Sequence, residues 1–160
     1  MQADKDTSMD DLKQRASSFF TLLPGRWNIT RRFEGEVEGL EGHFAGHAEF
    51  AVDPNGLSYH EELKVVPRST SYQDYLYKFQ DGQIIIHKVL DGFIADIFMT
   101  LRFQEGDNNF LVAEDSHNCN QDVYKGRFTI CNSDEFEISY LVRGPKKSYS
   151  ITTQYTRATS

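Results

Sequence analysis

The chain has little cysteine, little proline, fewer basic than acidic residues and no long hydrophobic run. Of its 160 residues two are cysteine and four are proline, and 17 basic residues face 24 acidic ones, for a formal net charge of -7. An acidic surface is unfavourable for contact with nucleic acid or an anionic membrane. No apolar run approaches the roughly 18 residues that span a bilayer. We therefore expect neither nucleic acid nor membrane as a partner.

The scarcity of cysteine and the character of the N-terminus favour a reducing compartment. Cys119 and Cys131 are too few for the disulfide framework of a small secreted fold. The opening stretch MQADKDTSMDD is acidic and polar, without the basic start and apolar core of a secretory signal. We expect a cytoplasmic protein with two reduced, inert thiols.

What the sequence does have is a series of short segments in which apolar and polar residues alternate. His43–Val52, for example, places Phe44, Ala48 and Phe50 on one face. Turn residues such as Asp53-Pro54-Asn55-Gly56 separate the segments, and no room is left for crossover helices. The predicted strands are Arg26–Phe33, His43–Val52, Leu57–Val66, Ser71–Phe79, Gln83–Leu90, Phe93–Phe103, Phe110–His117, Tyr124–Cys131, Phe136–Val142 and Ser148–Arg157. This pattern predicts an all-β antiparallel meander, either a sandwich or a closed barrel.

The N-terminal segment differs from the rest. Thr7-Ser8 followed by Asp10 and Asp11 is typical of a helix start, and Pro24-Gly25 ends the helical pattern. We predict a flexible arm or helix start over residues 1–15 and one barrel domain over residues 16–160.

The first strand favours the barrel over the sandwich. Gly25-Arg26-Trp27 resembles the G-x-W signature of lipocalins and related calycin barrels. The resemblance implies that Trp27 closes one end of the barrel and that Arg157 covers it from the last strand. We therefore expect a single up-and-down β-barrel of about 8–10 strands, lipocalin-like or fatty-acid-binding-like, with a short N-terminal helix.

Several strand faces combine tyrosines with charged groups. Glu61 shares a face with Leu57, Tyr59 and Leu63, although a buried carboxylate is costly unless it is paired. Such faces suit a cavity of a few hundred Å³ for a small, polar-headed organic ligand. The alternative is that Glu61 pairs with an Arg or Lys at a barrel mouth and the tyrosines only pack. The candidate ligand-binding residues are Tyr59, Glu61, Tyr75, Tyr77, His117, Tyr124, Lys147 and Tyr149.

The stretch from His117 to Tyr124 permits three interpretations. A zinc site needs three or four ligands, and the lone His117-x-Cys119 pair has no matching second pair, so we expect no metal and no cofactor. A Cys119 nucleophile would need an activating base. In the third, residues 118–121 form a turn that brings Asp122 to the His117 imidazole as a hydrogen-bond acceptor. We favour this third interpretation.

The same stretch carries a resemblance to a family. His117-x-Cys119-x-x-Asp122-x-Tyr124, followed by Gly144-Pro145-Lys146-Lys147-Ser148-Tyr149 and a strand ending in Y-x-R, resembles the paired H-x-C-x-x-D-x-Y and G-P-[RK]-K-x-Y signatures of a domain-of-unknown-function family. The resemblance spans about residues 20 to 157 and implies a small lipocalin-like barrel, without implying a function.

The chain departs from that family pattern at two places. An Arg-Lys-Asp run becomes Lys146-Lys147-Ser148, which loses a bidentate donor and an acidic partner. A D-G-R-x-F-H run becomes Asp91-Gly92-Phe93-Ile94-Ala95-Asp96, without its Arg and His. If the missing groups serve a reaction in relatives, this protein binds without turnover.

Three functions remain open at this point. The first is binding of a small molecule inside the barrel. The second is an enzyme of the lyase, isomerase or hydrolase type that uses His117 as general base and Asp122 to orient it. The third is a non-catalytic subunit of a larger assembly, with a protein partner, a filled barrel and an exposed apolar patch.

Overall fold

The computed structural model describes residues 2–35, 42–65 and 69–159, and it is all-β apart from one N-terminal helix and a short 3-10 turn at Asp107–Asn109. Its elements in chain order are α1 (Gln2–Leu22), β1 (Gly25–Gly35), β2 (Gly42–Asp53), β3 (Gly56–Val65), β4 (Ser69–Gln80), β5 (Gln83–Leu90), β6 (Phe93–Leu101), β7 (Phe103–Glu105), β8 (Leu111–Cys119), β9 (Asp122–Asn132), β10 (Glu135–Gly144) and β11 (Lys147–Arg157). The predicted positions Met1, Val66 and Ser160 lie outside this description.

The strands form one antiparallel sheet in the order β6-β5-β4-β3-β2-β1-β11-β10-β9-β8-β7. The sheet curls until β6 lies beside β8, where the Thr100 backbone N–H donates a hydrogen bond of 2.7 Å to Asp115 Oδ2. The result is a nearly closed barrel, which confirms the predicted fold class.

Local signals account for most of the meander. Asp81-Gly82 and Asp91-Gly92 both have positive φ at their two positions, as two-residue hairpin turns require. One predicted strand is divided: Phe93–Phe103 is β6 and β7, because the chain leaves the side of β5 and joins the edge of β8 after Leu101.

The helix begins at Gln2, before the Thr7-Ser8 start that the sequence predicts, and it continues past residue 15 to Leu22. The residues before Thr7 include neither proline nor glycine, so nothing in them interrupts a helix. No helix in the described ranges has an apolar stretch long enough to cross a bilayer.

The helix closes one end of the barrel over a tight aromatic core. The Trp27 indole N–H donates to the Leu23 carbonyl at 3.0 Å, and the Arg157 guanidinium carbon lies 4.2 Å from the Trp27 ring centroid. Phe136 stacks on Tyr155 at 4.3 Å and meets Trp27 edge-on at 4.8 Å. These side chains pack against one another at this end of the barrel, and we call the opposite end the far end.

Candidate functional site

A charged pair lies inside the barrel between β1 and β3. Arg31 Nη1 and Nη2 donate to the two carboxylate oxygens of Glu61 at 2.6 and 2.9 Å, and Arg31 Nε donates to Thr153 Oγ1 on β11 at 2.7 Å. The side chains of Arg31 and Glu61 are 14% and 2% exposed. Two parallel hydrogen bonds between guanidinium and carboxylate are the strongest form of this pair, and they fix both side chains.

Two tyrosines extend the pair toward the helix-covered end. The Tyr59 hydroxyl donates to Glu61 Oε1 at 2.6 Å and lies 2.7 Å from the Tyr155 hydroxyl. With these contacts every buried side-chain nitrogen and oxygen in the described residues has a hydrogen-bond partner. We call Arg31, Glu61, Tyr59, Tyr155 and Thr153 the interior network.

Burial and charge shift the pKa values within the interior network. Burial, the neighbouring Tyr155 and the charge of Glu61 together hold the pKa of Tyr59 well above its usual range. Burial alone would lower the pKa of Arg31, but the hydrogen bonds and charge of Glu61 outweigh it and raise that pKa. Both shifts favour the protonated form, so Tyr59 is neutral and Arg31 is charged at neutral pH.

A small cavity of about 40 Å³ adjoins the interior network on the side of the far end. Since a buried water needs about 10–15 Å³ of such volume, the cavity has room for only a few waters. It is much smaller than the few hundred Å³ that the sequence led us to expect. Its wall is made by Arg31, Glu61, Gln73, Tyr75, Tyr77, Ile138, Tyr140, Ile151, Thr153 and Tyr155.

Aromatic rings lie next to this cavity and extend to the seam between β6 and β8. Phe98 stacks on Tyr75 at 6.0 Å and contacts His117 at 5.2 Å and Tyr140 at 5.8 Å between ring centroids. We call these four residues the aromatic layer. Phe98 is buried, whereas Tyr75, His117 and Tyr140 are partly exposed. Lys88 Nζ lies 4.7 Å from the Phe98 centroid.

Glycine at position 126 makes room for the aromatic layer. A Cβ at that position would lie 3.0 Å from Tyr140 Cε1 and 3.2 Å from Met99 Cε. The ring of Tyr140 therefore occupies space that a larger residue on β9 would take.

The structure places the eight predicted ligand-binding residues in three groups. Tyr59, Tyr77 and Glu61 are buried deep in the barrel. Tyr75 and His117 belong to the aromatic layer, and the other three, Tyr124, Lys147 and Tyr149, lie on β9 and β11 near the rim of the far end. Burial, followed by the neighbouring Tyr124, raises the pKa of Tyr149.

The structure does not bring His117 and Asp122 together. β8 continues to Cys119, the turn contains only Asn120 and Gln121, and His117 lies opposite Tyr124 in the β8–β9 register. Asp122 Oδ2 instead lies 2.9 Å from Lys147 Nζ. The turn predicted over residues 118–121 is thus too long by two residues, and no hydrogen bond joins His117 to Asp122 in the described part of the chain.

Neither of the two cysteines forms a disulfide bond. Cys119 is exposed and Cys131 is partly buried, where burial and then the charges of Glu135 and Glu137 raise its thiol pKa. Within residues 2–35, 42–65 and 69–159 no group of three or more His, Cys, Asp or Glu side chains could hold a metal ion.

Several residues of the site were not among the sequence-based candidates. Arg31 continues the inward row of Trp27 and Ile29 on β1, so the alternation itself carried a signal for it. Lys88 likewise continues the inward row of Ile84 and Ile86 on β5. Phe98 carried no such signal, because it falls at the register shift between the pairs Ile86–Met99 and His87–Ile97.

The comparisons with known proteins agree with this architecture. The model of a family described as a family of unknown function (DUF6314) matches residues 23–157. The structure of the S-type phycobiliprotein lyase CPES from Guillardia theta is 9% identical, with a TM-score of 0.58 over 90% of this chain and 93% of that chain. At this identity the likeness is one of fold.

Two further solved structures also match. EF1p2_mFAP2b, solved bound to DFHBI, is 12% identical with a TM-score of 0.49 over 86% of this chain and 95% of that chain. A redesigned β-barrel, b11L5F_LGL, is 14% identical with a TM-score of 0.41 over 88% of this chain and 95% of that chain. Among curated protein sequences no match was found.

Proposed function

The chain belongs to a family of unknown function (DUF6314), and for this member we propose that the far end of the barrel binds a small organic molecule that carries a polar group. In this proposal the body of the molecule lies against the aromatic layer, and its polar group reaches the cavity beside Arg31 and Glu61. The observation that carries the proposal is the position of that cavity, between a saturated polar network and a set of partly exposed rings.

The interior network places two charged side chains inside the barrel, where apolar side chains could pack instead. Replacing a buried ion pair by well-packed apolar residues is often neutral or stabilising, so stability alone does not require Arg31 and Glu61. Small-molecule sites, by contrast, combine apolar and aromatic walls with a few fixed polar groups. The bidentate geometry and the Tyr59 and Thr153 contacts hold the pair in place before any ligand arrives, which reduces the entropy cost of binding.

The size of the cavity limits how the molecule is held. A volume of about 40 Å³ admits only a few atoms, so the cavity suits the polar end of a ligand in place of water. The rest of the ligand must lie against Tyr75, Tyr140 and His117, where the rings are partly exposed. This arrangement differs from the fully enclosed cavity that the sequence suggested.

The fold alone does not separate binding from catalysis, since a lyase shares it. Within the described residues Asp122 contacts Lys147 rather than His117, so the geometry gives the proposed base no orienting partner. Binding is therefore the function that the site supports best.

A test is native mass spectrometry of the protein purified from its own source, compared with its denatured mass. The informative variant is Arg31→Met/Glu61→Met, which keeps the side-chain volume and leaves no unpaired charge. The matched control is Arg127→Met/Glu114→Met, which removes an exposed ion pair on the outer wall. We expect a non-covalent adduct in the wild type and the control and none in the interior variant.

Two results would contradict the proposal. One is an adduct that the interior variant retains at the wild-type level. The other is a wild-type protein that is purified free of any small molecule and also binds no member of a fragment library in ligand-observed NMR.

One surface feature favours an assembly subunit as a second candidate. The hairpin of β5 and β6 exposes Leu90 and Phe93 at its tip, at 61% and 77%, with Ile94 and Ile97 about half exposed behind them. β6 is also a terminal strand of the hydrogen-bonded sheet, and exposed apolar edges are typical of contact surfaces. Light scattering of the wild type and of Phe93→Ser tests it, since a contact through this hairpin predicts a larger mass only for the wild type.

A further inference from the structure

Among the described residues, Lys88 is a cation on the interior face of the sheet that has no carboxylate partner. Arg31 pairs with Glu61, and Lys147 pairs with Asp122. The carboxylate of Asp115 accepts the Thr100 backbone N–H at the β6–β8 seam. In the described residues no carboxylate oxygen lies within 4.0 Å of Lys88 Nζ, and its charge instead rests over the face of Phe98.

The position of Lys88 is set by the sheet register. Lys88 on β5 lies directly opposite Tyr75 on β4, so both side chains point to the same face of the sheet, which is the interior face. Lys88 is partly buried, and an ammonium loses hydration there. A contact with a ring face replaces only part of that hydration, so an anion that brings its own charge would bind Lys88 more strongly.

Resting on the proposed function, we infer that the ligand carries, apart from the polar end in the cavity, an oxyanion such as a carboxylate or a sulfonate-like group, and that Lys88 is the residue that recognises it. The ring of Phe98 positions the ammonium next to the aromatic layer, and the flat body of the ligand packs against Tyr75 and His117 in the same layer. The ligand class is thus an aromatic or otherwise apolar organic acid.

Lys88 is better suited to this role than the interior network. In Glu61 the network already has an anion that accepts both Arg31 donors, so a second anion there would meet a carboxylate. Like charges that share a buried site repel each other. The neutral polar atoms of the ligand fit the cavity, and its charge fits Lys88.

The test uses two fluorescent dyes that have the same aromatic body and differ in charge. 1-Anilinonaphthalene-8-sulfonate is an anion, and N-phenyl-1-naphthylamine is its neutral counterpart. We expect Lys88→Met to weaken binding of the anionic dye roughly tenfold, the effect of one hydrogen bond to a charged group. Binding of the neutral dye should stay within about twofold of the wild type, and urea unfolding followed by Trp27 fluorescence should show that the variant is folded. Lys88→Arg should retain the preference for the anion.

Lys125→Met is the matched control, because it removes the same charge from an exposed position on the outer wall. Its dye affinities should equal those of the wild type. The inference is overturned if Lys88→Met weakens both dyes alike, if it weakens neither, or if Lys125→Met has the larger effect on the anionic dye. In each of these cases the wild type still binds the neutral dye, so the proposed function stands. A wild type that binds neither dye overturns the proposed function and the inference together.

Discussion

Glu61→Gln is the substitution that probes the interior network most directly. Glutamine keeps the shape of the side chain and one acceptor oxygen, but it removes the charge that balances Arg31. Both side chains are largely buried, at 2% and 14% exposure. Removing one partner of a buried pair typically costs about 3–5 kcal/mol, because the remaining charge is left without compensation.

We expect a loss at the low end of that range, about 3 kcal/mol, since Arg31 keeps its bond to Thr153 and some contact with solvent. The assay is urea unfolding followed by the fluorescence of Trp27, the single tryptophan of the chain. With a slope of about 2 kcal/mol per molar urea, the midpoint should fall by roughly 1.5 M. Glu114→Gln, in the exposed pair with Arg127, should cost at most about 1 kcal/mol.

The double variant Arg31→Met/Glu61→Met separates charge from volume. It removes both charges together, so its stability should lie within about 1 kcal/mol of the wild type or above it. A single variant that loses less than about 1 kcal/mol would refute the reasoning, because the pair would then be solvated. So would a double variant as unstable as the single one, which would make packing and not charge the cause.

Two further predictions concern titration. Burial is the main cause of the raised pKa of the interior tyrosines, so their ionisation should require unfolding: stability is complete below pH about 10 and falls as pH rises above it. Most of the rise in absorbance at 295 nm, that of five of the eight tyrosines, should then coincide with the loss of Trp27 emission, and ionisation of all eight without unfolding would contradict this. The tyrosines concerned are Tyr59, Tyr75, Tyr77, Tyr140 and Tyr155. On the outer wall, the His60 Nδ1 group is 2.7 Å from Asp74 Oδ1, and this hydrogen bond is the main cause of its raised pKa. The small stabilisation is complete below pH about 6.5 and disappears as pH rises through the folded-state pKa of His60. Imidazole NMR, assigned with His60→Gln, should give a pKa above 6.5, and an ordinary value in the folded protein would exclude the Asp74 contact.

Local chemistry explains why the fold was predictable from the sequence. Asp81-Gly82 and Asp91-Gly92 specify tight hairpin turns by themselves, and the alternation between turns specifies which residues share a face. Glu61 could be placed on an apolar face for the same reason. Its partner depended on sheet topology: Arg31 lies two strands away across β2, and no local pattern states how far along β1 a guanidinium must lie to reach it.

The His117–Asp122 pair shows how a small error in a turn changes a predicted site. Because β8 continues to Cys119, the two-residue turn places Asp122 opposite Cys119 and away from the imidazole. The absence of a side chain at Gly144 then determines where the Asp122 carboxylate can lie. A Cβ at residue 144 would lie 2.0 Å from Asp122 Oδ1, so the glycine leaves the space in which Asp122 reaches Lys147. Neither the strand end nor this close approach is visible in the H-x-C-x-x-D spacing.

Stability and the proposed function make different demands on the barrel interior, and the interior network is where the two can be compared. Stability alone does not require the charged pair of Arg31 and Glu61, because replacing a buried pair by packed apolar side chains is often neutral or stabilising. The charged pair leaves instead a cavity with polar walls beside partly exposed rings, while Lys88 remains without a carboxylate in the described structure. A double variant that folds as stably as the wild type but retains no ligand would show that the charges serve binding. The same variant with undiminished binding would contradict the proposed function, because the polar wall of the cavity would then not serve binding.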